Sequence, residues 1–182
     1  ILSAVMRTND LQKRWAFSAT VARLGADLRG RVIAVWGLSF KPNTDDLREA
    51  PARSIVAGLL EAGARVRAFD PVAMPRARNE WPHEWLSSGA LSFAANPYHA
   101  LDGVDALVLV TEWKPFRAPD FGDMKRRMRR RLIIDGRNQY DPAQMRELGF
   151  EYCGVGRGEP MAGVPAAKPG RSQNIPESEM AA

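Results

Sequence analysis

Val35-Trp-Gly-Leu-Ser-Phe-Lys-Pro-Asn-Thr-Asp-Asp-Leu-Arg-Glu-Ala-Pro51 is the stretch on which the reading of this chain turns. An apolar strand, Arg31 to Trp36, stops at Gly37 and opens into a loop that presents Lys41, Asp45, Asp46, Arg48 and Glu49. A helix is expected to begin near Ala52. In α/β proteins, ligands settle in the crevice outside the carboxyl end of such a strand, beside a helix N-terminus. The loop is too charged to be core. Pro42, Pro51 and Gly37 also fix too much of its geometry for a loose linker.

On either side of this loop, strands and helices alternate. A helix near 52–62 ends at Gly63, as a C-terminal glycine permits. Strand 65–69 runs into Asp70-Pro71 and is followed by a short helical piece near 73–79 and an irregular stretch, Trp81 to Gly89. Then come a strand at 91–94, a single helical turn from about Pro97 to Leu101, and the most apolar strand, Ala106-Leu-Val-Leu-Val110, leading into Thr111-Glu-Trp113. A basic helix from about Asp120, strand Leu132–Asp135, a helix near 142–147 and a last strand around Glu151–Val155 complete the order. Continuous apolar runs such as 106–110 suit strands buried on both faces. The predicted fold is α/β: a Rossmann-like, doubly wound, mostly parallel sheet, preceded by a long N-terminal helix.

That helix is expected from Leu2 to about Leu28, with Leu2, Val5, Met6, Leu11 and Trp15 on one face. Residue 1 is isoleucine and the helical pattern is already running, so the chain reads as the back half of a larger protein. The predicted organisation is 1–29 as connector helix, 30–156 as the Rossmann-like domain and 157–182 as a disordered tail rich in Gly, Pro, Ala, Ser and Glu.

The composition rules out several alternatives. With 182 residues and 45% hydrophobic content the chain can bury one good core. No run approaches the apolar length of a membrane span, and a cytoplasmic protein is expected. Cys153 is the single cysteine, so neither an internal disulfide nor a CxxC metal site is possible; it reads as a buried strand residue. His83 and His99 have no partner at ligand spacing. The net charge of +5 comes from one segment, Lys125-Arg-Arg-Met-Arg-Arg-Arg131, without which the chain is slightly acidic. Asp120 and Asp123 in the first turn and arginines in the last suit the helix dipole, so this segment reads as a solvated surface helix rather than a nucleic-acid site.

No dinucleotide fingerprint is present. Gly37 is followed by Ser39 and Pro42 where the fingerprint needs glycines, and Gly154-Val-Gly-Arg-Gly158 follows the last strand with no helix after it. Lys41, at the mouth of the first strand, is placed to meet a ligand phosphate. Lys41 and Arg48 could also pair with Asp45, Asp46 and Glu49, which would make the loop self-neutralising. Asp135-Gly-Arg-Asn138 ends another strand, and the planar fork of Arg137 suits phosphate oxygens or a uracil-like edge. Pairing with Glu112, or capping a helix, is the alternative for Arg137. Trp113 either lines the same cleft or packs.

Taken together, Gly37 to Pro51, Phe69-Asp70-Pro71, Ala106 to Trp113 and Asp135-Gly-Arg-Asn138 closely resemble the C-terminal domain of UDP-glucose 6-dehydrogenases, over about residues 1–155. The opening helix, with Asn9 and Gln12-Lys13, resembles the end of the central helix through which those enzymes dimerise. The resemblance implies NAD-dependent, two-step oxidation of UDP-glucose to UDP-glucuronate. The cysteine nucleophile and the NAD fingerprint would lie in parts not present here, so this chain alone is expected to be inactive. It also implies that Phe40, Lys41 and Arg137 contact the UDP-sugar, that Arg48 reaches NAD across a domain cleft, and that Asp46 and Glu49 hold the loop. Sister dehydrogenases of GDP-mannose or UDP-N-acetylhexosamines share the Phe-Lys and Asp-Asp-x-Arg-Glu framework. A stand-alone nucleotide-binding module is the reading from another class.

Overall fold

A computed structural model of the chain describes residues 12–158. Each apolar run that reads as a strand forms one, because β-branched and large apolar side chains fill both faces of a pleated sheet at once. The elements in order are α1 (Trp15–Leu24), β1 (Val32–Trp36), α2 (Pro51–Glu61), β2 (Arg65–Phe69), α3 (Met74–Glu80), α4 (His83–Ser87), β3 (Leu91–Phe93) and α5 (Pro97–Ala100). They continue with β4 (Ala106–Leu109), α6 (Lys114–Arg117), α7 (Phe121–Arg127), β5 (Leu132–Asp135), α8 (Pro142–Glu147), β6 (Glu151–Gly154) and β7 (Arg157–Gly158).

The strands form one sheet in the order β3-β2-β1-β4-β5-β6-β7. The first six are parallel, and β7 returns antiparallel to β6. The expected doubly wound, mostly parallel architecture is therefore present. Side chains alternate between two cores. Ile33, Val35, Val108 and Ile134 face Ala19, Ile55 and Ala77 of α1–α3, while Ala34, Trp36, Leu107 and Ile133 face Ala100, Phe116, Met124 and Met145 of α5–α8. Burying each large aliphatic side chain this completely stabilises the fold by about 1.5–3 kcal/mol.

Several expectations need correction. The first helix stops at Leu24, where Gly25 is the C-cap, and Leu28 enters the core from the following loop. The portion expected from Leu2 to Leu11 lies outside the described residues. The stretch Trp81–Gly89, expected to be irregular, contains α4, and α6 was not foreseen. The basic helix ends at Arg127 with an extended Met128, leaving Arg129, Arg130 and Arg131 outside it. Arg129 and Arg130 belong to the packing scheme rather than to a solvated helix face, while Arg131 is exposed. Arg129 pairs with buried Asp105, and Arg130 with Glu151. Burial pushes the Asp105 carboxyl up, but hydrogen bonds from Arg129 and the Val32 N–H outweigh it and hold the group below its ordinary value. Arg157 and Gly158, expected at the start of the tail, form β7; the remainder of that segment is outside the described residues.

Candidate ligand cleft at the sheet switch point

Connections from β1 and β4 run to opposite sides of the sheet, so a crevice opens between their carboxyl ends. The register sets these ends level. Trp36 stands beside Phe69 and Leu109, Leu109 beside Asp135, and Asp135 beside Gly154. The residues that follow each strand are therefore gathered at one edge.

Two buried aspartates hold this edge in shape. Asp70, just past β2, accepts from the Leu38 and Ser39 N–H groups at 2.7 and 3.2 Å, from Val72 and Ala73 N–H at 2.9 and 2.8 Å, and from Trp113 Nε1 at 3.1 Å. One carboxylate thus ties together the exits of three strands. Trp113 is buried by this contact and belongs to the packing. Asp135, at the end of β5, accepts from the Arg137, Gln139 and Tyr140 N–H groups and from the Tyr152 hydroxyl at 2.9 Å. Two glycines permit the close approach of chains here. Gly37 has φ +89, and an added Cβ would lie 2.5 Å from Thr111 Cβ. At Gly136 an added Cβ would lie 2.9 Å from the Leu109 carbonyl oxygen. The left-handed residue of the second turn is Asn138, φ 53.

These frames present Phe40, Lys41 and Arg137. The Phe40 N–H donates to the Asp46 carbonyl at 2.8 Å, and the Phe40 ring is 49% exposed, unusual for so large an apolar group. The Ser39 carbonyl accepts from Thr111 Oγ1 at 2.6 Å. Arg137 Nε donates to the Val110 carbonyl at 2.7 Å and Nη2 to the Phe40 carbonyl at 3.2 Å. Its guanidinium therefore bridges the exits of β4 and β1. Arg137 Nε also lies 3.0 Å from Glu112 Oε2. The Nε hydrogen is directed to Val110, so the Glu112 contact is an ion pair without a hydrogen bond, and Oε2 is buried with no hydrogen-bond partner.

The resulting cleft has a volume of about 390 Å³. Phe40, Lys41 and Arg137 all line it, together with Lys13, Glu49 and Glu112. Three cations face two carboxylates, an arrangement suited to an anionic ligand. Glu49 pairs with Lys13, which holds its carboxyl below the ordinary value. Glu112 pairs with Arg137, and Lys41 alone of the three cations has no charged partner among the described residues. The loop is not self-neutralising in the way that alternative has it: Arg48 pairs with Asp46, but Asp45 lies 3.6 Å from Arg76 and Glu49 reaches Lys13, both from outside the loop. Arg48 is gripped by both oxygens of Asp46, at 2.9 and 2.8 Å, and does not line the cleft. That grip holds the Asp46 carboxyl well below the usual carboxylate range. Cys153 is buried in β6, which pushes its thiol up, and both histidines are on the surface.

The UDP binding domain of the UDP-glucose/GDP-mannose dehydrogenase family matches residues 34–142. The chain belongs to this family. It is 49% identical over 163 residues to the UDP-glucose 6-dehydrogenase of Pseudomonas aeruginosa, a match that covers 90% of this chain and 35% of that one. The chain spans about a third of the length of the curated relatives it matches. Among solved structures, a UDP-glucose dehydrogenase from the archaeon Pyrobaculum islandicum superposes with a TM-score of 0.65 at 33% identity, covering 84% of this chain and 31% of the other. An NDP-N-acetyl-D-galactosaminuronic acid dehydrogenase from Methanosarcina mazei gives 0.68 at 26% identity, covering 83% and 30%.

Sequence reasoning did not foresee the wall that completes this UDP-glucose/GDP-mannose dehydrogenase domain. Gln12, Lys13, Trp15 and Ala16, in and just before α1, line the cleft opposite the strand exits. The residues have no motif of their own. Lys13 is read from the sequence only as part of the opening helix; its place in the cleft depends on an acidic partner that the fold brings to it from 36 positions away.

Proposed function

We propose that the cleft binds the uridine diphosphate part of UDP-glucose, and that the chain serves as the substrate-binding part of an NAD-dependent UDP-glucose 6-dehydrogenase forming UDP-glucuronate. The observation that carries this reading is the convergence of Lys41 and Arg137 from two different strand exits on one net-cationic cleft at the switch point. Lys41 supplies a mobile point charge, and Nη1 of Arg137, without a hydrogen-bond partner among the described residues, a directed donor, for diphosphate oxygens. The exposed Phe40 ring offers an apolar face beside them. NAD would meet this chain chiefly at Arg48, since no glycine fingerprint is present to cradle its pyrophosphate. No oxidation step is assigned to these residues, and the chain alone is expected to be inactive. In the whole enzyme we place the opening helix in a homodimer contact and the protein in the cytoplasm. Among the described residues, no helix is long and apolar enough to cross a membrane.

Titration calorimetry with UDP, UDP-glucose, GDP and NAD⁺ tests the proposal. UDP and UDP-glucose are expected to bind, GDP and NAD⁺ to stay silent, and Arg137→Ala to weaken UDP by at least about tenfold, as loss of a charged ligand contact does. No UDP binding to a demonstrably folded chain overturns the reading. GDP binding in place of UDP favours the sister activity on GDP-mannose. The alternative of a sister activity on an N-acetylhexosamine nucleotide draws support from the likeness to the Methanosarcina mazei structure.

A further inference from the structure

Glu112 is an unexpected group to find on the wall of an anion-binding cleft. Its position is nonetheless tightly set. On one side Thr111 is fastened to the Ser39 carbonyl at 2.6 Å, and on the other Trp113 is fastened to Asp70 at 3.1 Å. Between these two ties the Glu112 side chain, 35% exposed, is delivered to 3.0 Å from Arg137 Nε. Its Oε2 is buried and accepts no hydrogen bond. A carboxylate oxygen left in that state costs free energy unless charge repays it, and among the described residues the charge beside it in the cleft wall is the guanidinium of Arg137.

We propose that Glu112 is the internal counter-ion of Arg137. It stands in for the ligand's anionic group while the cleft is empty, keeping the guanidinium against the Val110 and Phe40 carbonyls, and it offsets part of the attraction once a diphosphate arrives. Glu112 is thus a positioning residue acting through Arg137, and it tunes how strongly the cleft holds its anionic product or substrate. Lys13 and Glu49 repeat the pattern on the opposite wall, so that among the described residues Lys41 is the cleft cation whose charge is not already offset by a paired carboxylate. The inference rests on the diphosphate reading of the cleft proposed above.

The test compares the full chain with Glu112→Gln and Glu112→Ala, after thermal melts show that all three are folded, by calorimetry with UDP and with uridine at low and at moderate salt. Removing the competing charge is expected to tighten UDP by about tenfold at low salt, with the gain shrinking as salt rises, and to leave uridine unchanged. A purely structural role would weaken both ligands alike and would carry no salt dependence. UDP binding that is unchanged or weaker in both variants overturns the counter-ion role while leaving the UDP reading intact. Silence of the parent and of both variants towards UDP overturns both.

Discussion

Asp70 and Trp113, 43 residues apart in sequence, meet in a hydrogen bond of 3.1 Å from the indole nitrogen to a carboxylate that has no solvent exposure. The same carboxylate serves four backbone N–H groups. The loop that carries Phe40 and Lys41 is therefore anchored from outside itself. Replacing Asp70 by Ala strands several buried donors, and we expect a loss of about 3–5 kcal/mol in urea unfolding. A loss under about 1 kcal/mol would show that the loop does not depend on this anchor.

Gly37 makes a second, independent prediction. Its left-handed φ and the 2.5 Å separation of a built Cβ from Thr111 mean that Gly37→Ala must displace the Thr111 backbone or the β1 exit. We expect a loss of about 2–4 kcal/mol, read from the urea midpoint, together with weakened UDP binding because Thr111 holds the Ser39 carbonyl. A variant as stable as the parent would contradict the packing described for this junction.

Tyr140 and Tyr152 are expected to make the fold less stable at high pH. Burial first, and the nearby Asp135 charge second, push both hydroxyls well above the ordinary tyrosine value. Above about pH 10 an unfolded tyrosine ionises while these two keep their protons, so the native state binds more protons and stability falls as pH rises. The stabilisation is fully present below about pH 10. Above it, the decline should reach up to about 1.4 kcal/mol per pH unit for each group. Urea unfolding at pH 9 and pH 11 measures it, and Tyr152→Phe should reduce the slope. An equal slope in that variant would mean that Tyr152 ionises normally in the native protein.

Arg48 separates two roles within one loop. Its guanidinium is occupied by Asp46 and lies outside the cleft lining. Arg48→Ala should leave UDP affinity within about threefold of the parent, since exposed pairs contribute little. Lys41→Ala should weaken it clearly more. Calorimetry on the two variants in parallel decides the matter, and a larger loss from Arg48 than from Lys41 would reverse the assignment.

The parallel strands were legible because Ala106–Leu109 and residues 132–134 are continuous apolar runs, which suit strands buried on both faces. Lys41 and Arg137 were legible for a related reason: each follows a strand end, and parallel strands bring such ends together. What escaped was decided by distant contacts. The first helix ends at Leu24 although apolar spacing continues to Leu28, because Leu28 fills the core from a loop. Arg129 and Arg130 extend a helical charge pattern, yet they leave the helix to meet Asp105 and Glu151, more than twenty positions away. Lys114-Pro-Phe-Arg117 is too short to show any period, and α6 is visible only through the burial of Phe116. Glu112 was legible as a partner for Arg137, and that pair forms, but nothing local to Lys13 marks it as the partner of Glu49.

Helix α1 contributes Ala16, Ala19 and Leu24 to one core of the sheet, and the same helix, with Gln12 and Lys13 before it, forms a wall of the cleft. Anyone trimming this protein to its recognisable domain would be drawn to cut near residue 30, just ahead of the first strand. Such a cut would remove Phe17 from its place against Gly58 of α2 and leave the ligand crevice open on one side. The smallest unit worth expressing therefore starts no later than Gln12, and a binding experiment on anything shorter would examine a different surface.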